Sequence, residues 1–181
     1  MGRVYQTIEA SIQRFIAEQP MFFVATSPLA ATGHINLSPK GMDTLRIIDP
    51  DTIAYVDLVG SGAETLAHLR ENGRITLMWC SFGPKPRIVR AYGNGTHLVS
   101  GSRHFDGLVS LFPPHRAIRS IIRIRVTRVA DSCGFGVPEM SLIGQRSRLA
   151  KWGDDRTDEQ LETYKRENNA VSIDGLPAWE G

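Results

Sequence analysis

Cysteine is scarce in this chain of 181 residues, which has only Cys80 and Cys133. The two lie far apart and form neither a CxxC pair nor a Cys/His ligand set. This argues against a disulfide framework and a structural zinc, and it suits a reducing cytoplasm. Long apolar runs are missing too. No stretch reaches the roughly 18 residues that a membrane-spanning helix needs. Glu9 and Gln13 interrupt the N-terminal apolar pattern, which is therefore not that of a signal peptide. Neither sign of charge dominates: 21 Lys and Arg against 19 Asp and Glu leave +2. The basic residues form no long run, so nucleic acid is not an expected partner. The five histidines are scattered, and no metal site is expected from them. The nucleophile motif G-x-S-x-G and the metal motif H-E-x-x-H are both absent. Gly60-Ser61-Gly62 lacks the G-K-[ST] of a phosphate loop and the third glycine of a dinucleotide fingerprint.

What is present is ordinary globular composition, 41% hydrophobic and 22% charged. At this length it predicts one domain with a sizeable core. The most organised stretch is Ile53–Trp79, IAYVDLVGSGAETLAHLRENGRITLMW. Ile53–Asp57 reads as a strand bounded by Pro50 and Gly60. Ser61 and Glu64 have the spacing of a capping box. Leu66 and Leu69 give the following helix an apolar side, Asn72-Gly73 stops it, and Arg74–Trp79 is the next strand. A helix N-terminus at the centre of such a unit presents free amides and partial positive charge, which suits an anion as well as an ordinary cap.

Before this unit, residues 4–18 predict a helix with Ile8, Ile12, Phe15 and Ile16 on one face, ended by Pro20. Met21–Thr26 predicts a buried strand. His34–Ser38 alternates, with His34, Asn36 and Ser38 on one face and Ile35 and Leu37 on the other. Ser38-Pro39-Lys40-Gly41 is expected to break that strand, and Leu45–Ile48 to form another. After the unit, Arg87–Leu98 predicts a long strand bulged at Gly93 or Gly95. Residues 102–112 predict a short helix. Ser120–Val129 predicts a half-buried strand with Ile122, Ile124 and Val126 inward and Arg123, Arg125 and Thr127 outward. Asp131–Pro138 is glycine-rich and irregular. Thr157 and Gln160 form a second capping-box pattern, opening a helix to about Asn168. Residues 170–181 read as a loosely held tail.

Six or seven short strands with tight connections and three or four helices predict a mainly β fold with flanking helices, an antiparallel sheet closing into a barrel. The domain organisation expected is a single unit, 1–181: a core with its N-terminal helix over 1–130, and an extension over 131–181 packing on it. Arg87 and Arg90, three apart on one strand, point to opposite faces. The remaining polar features are the face of His34, Asn36 and Ser38, the Lys40 break and the turn at Ser61. They suit a phosphorylated planar cofactor, which would have to supply any redox chemistry.

The order of FFVAT, GHINLSPKG, IAYVDLVGSG, HLRENGRITLMW and RIVRAYGNG resembles the flavin-binding split-barrel family of pyridoxamine 5′-phosphate oxidase, over about residues 10–130. The resemblance implies a split β-barrel, a homodimer, FMN at the dimer interface, and an oxidoreductase acting on a small molecule. Some relatives hold a deazaflavin or haem instead, and a binder without turnover is the alternative function. Carried over residue by residue, it implies cofactor contacts at Asn36, Leu37, Ser38, Pro39, Lys40, Val56, Asp57, Ser61, Thr65 and Arg90. The chain departs from true pyridoxamine phosphate oxidases in two places. Gly62-Ala63-Glu64-Thr65 stands where they carry an Arg-Lys phosphate clamp. SCGFGVPEM and GQRSRLAKW stand where they carry an Arg-x-His substrate signature. The vitamin B6 reaction itself is therefore not expected.

Overall fold

The computed structural model describes residues 2–180. In chain order they form β1 (Val4–Tyr5), α1 (Ala10–Ala17), β2 (Phe22–Thr26), β3 (Asn36–Lys40), β4 (Leu45–Asp49), β5 (Thr52–Leu58), α2 (Glu64–Glu71), β6 (Arg74–Cys80), β7 (Ile88–Leu98), α3 (Arg103–Val109), β8 (Ile118–Ser132), α4 (Arg148–Asp154) and α5 (Asp158–Asn168). Every strand pairing is antiparallel, in the order β3-β2-β6-β7-β8-β5-β4, with β1 added to β8. This is a split barrel.

The main core fills the barrel with Ile53, Tyr55, Leu66, Leu77, Trp79, Ile122 and Ile124, closed at one end by Ile12, Phe15 and Ile16 of α1. Phe22 meets Tyr55 edge-on, ring centres 5.5 Å apart. A second cluster sits on the other face of β5, where Ala54, Val56 and Ile121 meet Phe105 and Phe112 beside α3. Strand β5 is thus buried on both faces, which is why it reads as a continuous apolar run rather than an alternating one.

Two bulges shape β8. Opposite Gly93 the register with β7 steps from Tyr92–Arg128 to Gly93–Val126, leaving Thr127 as the extra residue. Gly93 is required there, because a Cβ would stand 2.2 Å from the Arg125 carbonyl oxygen. Against β5 the register steps from Asp57–Ser120 to Leu58–Ile118, leaving Arg119 as the extra residue.

Four expectations need correction. Val4–Tyr5 is a strand on β8, not helix; the Tyr5 hydroxyl donates to Asp131 at 2.9 Å, and α1 starts only at Ala10. Pro39 does not break β3. The strand runs on to Lys40 with Pro39 opposite Phe23, because β3 is a sheet edge, where a missing N–H is tolerated. Ser61 does not cap α2, whose N-cap position is Ala63 and carries no side-chain bond. The tail is seated, not loose. Ser172 and Ala178 are buried, Val171 bridges Pro177, and the Asn169 amide donates to the Gly60 carbonyl at 2.9 Å. The capping box at Thr157 and Gln160 is formed as expected.

Candidate functional site

Period-two geometry in β3 puts Asn36, Ser38 and Lys40 on one side of the strand. The turn after β5 and the first turn of α2 face them. Together they enclose a cavity of about 260 Å³ lined by Asn36, Ser38, Lys40, Leu58, Gly60, Ser61, Gly62, Glu64, Thr65 and Arg119. Larger clefts occur elsewhere on the surface, but the buried charges converge here.

The charged wall centres on Asp57, which is fully buried. One carboxylate oxygen accepts from Lys40 Nζ at 3.3 Å, and the other from Arg119 Nε at 2.8 Å. Arg119, 4% exposed, also donates through Nη1 to the Gly62 carbonyl at 2.9 Å, so it ties the turn to the barrel. Burial alone would raise the Asp57 pKa. Arg119, and after it Lys40, outweigh burial and hold it below the usual carboxylate value. Two cations against one carboxylate leave this wall with one positive charge. Tyr55, buried beside it, is pushed well above the usual phenol value by burial and then by Asp57, so it stays protonated.

The second wall is neutral. Asn36 Nδ2 lies 3.1 Å from Thr26 Oγ1 and 3.0 Å from Thr65 Oγ1. Ser38 Oγ lies 2.9 Å from Asn36 Oδ1, and Thr26 Oγ1 lies 2.9 Å from Nδ1 of the fully buried His68. Glu64 also lines the cavity. Its Oε1 accepts from the backbone N–H of Ile173 in the tail at 3.3 Å. Its other oxygen lies over Gly62, where a Cβ would come within 2.4 Å of it and the carboxylate would have to shift.

Of the residues singled out in the sequence, Asn36, Ser38, Lys40, Ser61 and Thr65 line this cavity, and Asp57 lies directly behind Lys40. Leu37 and Pro39 are on the opposite side of β3, with Leu37 64% exposed. Val56 is in the cluster beside α3. Arg90 is not among the lining residues; it donates to Ser132 Oγ at 3.3 Å. Arg87 is held by Asp131 at 2.7 Å. Sequence reasoning missed Arg119 because the strand was expected to start only at Ser120, and the Asp57–Leu58 bulge in any case breaks the parity from which strand faces are read.

The profile of the Pyridoxamine 5′-phosphate oxidase family matches residues 8–133, which hold β2 to β8 and every residue lining the cavity. The chain belongs to that family. The family protein ustO of Aspergillus flavus is 35% identical over 190 residues, spanning 96% of this chain and 76% of ustO. Among solved structures, HupZ of Group A Streptococcus is similar in fold, with 20% identity and a TM-score of 0.52 over 67% of this chain and 91% of HupZ. An FMN-binding protein of Syntrophomonas wolfei is 16% identical, with a TM-score of 0.47 over 71% of this chain and 82% of its own. The family match stops at residue 133; α4, α5 and the tail lie beyond it, in a part of the chain that the likeness to ustO largely covers.

Proposed function

We propose that this member of the family binds a flavin, FMN in the first instance, and serves as an oxidoreductase for a small molecule. The observation that carries the reading is the convergence of Ser38, Lys40, Ser61 and Thr65 with the buried Asp57–Arg119 pair at one turn. These donors suit a phosphate despite the missing Arg-Lys clamp. Arg119 comes from β8 rather than from the helix start, and the net positive charge of the wall offsets Glu64. Lys40 would hold the phosphate, Ser38 and Ser61 would hydrogen-bond it with Thr65 beside them, and the backbone of Asn36–Ser38 would orient the ring edge. A bound flavin supplies hydride transfer. The protein's part is binding, orientation and exclusion of water.

The cavity, at about 260 Å³, is below the roughly 300–1,000 Å³ of pockets that enclose a whole cofactor. It has room for a phosphate and its neighbouring chain; the ring needs another wall. Edge strand β3 exposes Leu37 at 64%, and Ile35 just before it is exposed at 76%. In this reading a second copy of the chain covers that edge and the ring, burying more than roughly 2,000 Å².

The test is the absorbance spectrum of the purified protein, followed by a fluorescence titration with FMN and addition of NAD(P)H. Bound flavin that bleaches on reduction and returns when the substrate oxidises it is the expected result. Lys40→Ala should weaken FMN roughly ten- to a hundred-fold, the worth of one charge-assisted contact. A parent protein that takes up no flavin overturns the reading. A stable monomer in sedimentation overturns the shared ring site.

A further inference from the structure

Four polar side chains run in line from the core to the cavity: His68, Thr26, Asn36 and Ser38, with Thr65 as a branch. His68 and Thr26 are buried, and among the described residues His68 Nε2 has no partner. The Asn36 amide has two orientations that keep every one of these distances, and each fixes where the protons go.

In the first, Nδ2 donates to both threonines and Oδ1 accepts from Ser38. Thr26 then either gives its own proton to His68 Nδ1, which puts the imidazole hydrogen on Nε2 as a buried N–H with no acceptor, or accepts from Nδ1–H as well, which leaves its own buried hydroxyl proton without one. In the second, Oδ1 accepts from the two threonine hydroxyls and Nδ2 donates to Ser38 Oγ. His68 then donates through Nδ1–H to Thr26, and Nε2 is a bare lone pair. An unmet acceptor is tolerated more readily than an unmet buried donor, so the second order is favoured. It also frees the Ser38 proton.

We propose that His68 is a positioning residue: with its proton on Nδ1 it orders the whole line so that the Ser38 hydroxyl points into the cavity as a donor to a phosphate-type anion. The inference rests on the anion-binding reading of the cavity. Lys40 and Arg119 line the same space, and in this order Thr65 spends its proton on Asn36, so that Ser38 rather than Thr65 is the hydroxyl donor there. Burial keeps His68 neutral, below the usual histidine range, against the pull of Asp174 in the tail and of Glu64 and Glu71 on α2. The direction of the line is therefore a matter of tautomer and needs no second charge in the core. His68 touches no ligand and acts only through Thr26 and Asn36.

The imidazole nitrogen NMR spectrum of the whole protein tests this directly, recorded free, with inorganic phosphate and with FMN. The Nδ1–H tautomer of His68 is expected in all three, sharpened by either ligand. An Nε2–H tautomer in the phosphate-loaded protein overturns the proposal. In parallel titrations, His68→Leu and Ser38→Ala should each weaken inorganic phosphate and FMN by about ten-fold. The double variant should lose no more than either single one, because both act through one hydrogen bond. His68→Asn, whose amide nitrogen reaches the place of Nδ1, should stay within about three-fold of the parent, since it restores the same neutral donor. Additive losses in the double variant, or a His68→Asn as weak as His68→Leu, overturn it. If His68→Leu fails to fold, the spectrum of the parent still decides. Phosphate binding without FMN binding defeats the flavin reading and leaves this one standing. Binding of neither defeats both.

Discussion

The cavity has two walls built on different physics. One is charged: Lys40, Asp57 and Arg119 hold each other through ion pairs, and the direction of every hydrogen bond is set by which groups are cations. The other is neutral: Thr26, Asn36, Ser38, Thr65 and His68 share protons that have two consistent orders. A charged wall is rigid in polarity and costly to disturb, since removing one partner strands a buried charge. A neutral wall costs less to disturb but can be re-aimed by one group in the core. Pairing the two lets a site hold an anion firmly on one side and adjust its hydrogen bonding on the other.

Breaking the charged wall should have the largest effect. Arg119→Met leaves Asp57 buried with Lys40 as its remaining partner, and should cost about 3–5 kcal/mol of stability. Adding Asp57→Asn should recover part of that loss, because the stranded charge is gone. Urea unfolding of the single and double variants reads both values. A single variant within about 1 kcal/mol of the parent, the range of an exposed pair, would mean that the two walls do not differ in kind.

The neutral wall should respond less. Asn36→Ala leaves the Thr26 and Thr65 hydroxyls without their shared partner, a loss of about 1–3 kcal/mol by the same measurement. A cost equal to that of Arg119→Met would erase the comparison from the other side.

The smallest effect is a slope with pH. Asp57 has a depressed native pKa, so its contribution is complete above the ordinary value of 3.8 and is lost as pH falls through the lower native value. Asp131 behaves in the same way. His68 is also depressed, but as a base: between 6.5 and its lower native value the unfolded chain binds the extra proton, so stability falls as pH falls through that window. His97 and His115 share the direction. The parent should therefore show two separate declines, and His68→Asn should flatten only the upper one. Denaturant midpoints between pH 7 and pH 3 measure this. A flattening confined to the acid decline would contradict the assignment.

Most of the barrel was legible because its signals are local. Alternation in Ser120–Val129 placed Ile122, Ile124 and Val126 inward and Arg123 and Arg125 outward, as they are. Gly93 marked the place of a bulge, but the extra residue is Thr127 on β8 opposite it rather than on the expected strand. The polar face of β3 and the turn at Ser61 were legible as one site even though the cap at Ser61 does not form. What was hidden depends on partners far along the chain. Arg119 belongs by alternation with the outward Arg123 and Arg125, and only the extra residue against Asp57 turns it into the site. His68 reads as one polar residue on the apolar side of a helix until Thr26, 42 positions away, is placed beside it. The tail looked loose because its anchors, Gly60 and Glu64, lie 109 positions upstream.

That last separation also sets an order of events during synthesis. The strands around the cavity are complete once β8 has been made. The Gly60–Glu64 turn, however, still lacks Asn169 on its carbonyl and Ile173 on its carboxylate, and α2 lacks the contact of Arg70 with Glu180. Until residues 169 to 180 have been made, the turn and α2 lack these three fastenings. The segment beyond α5 fastens a turn made more than a hundred residues earlier.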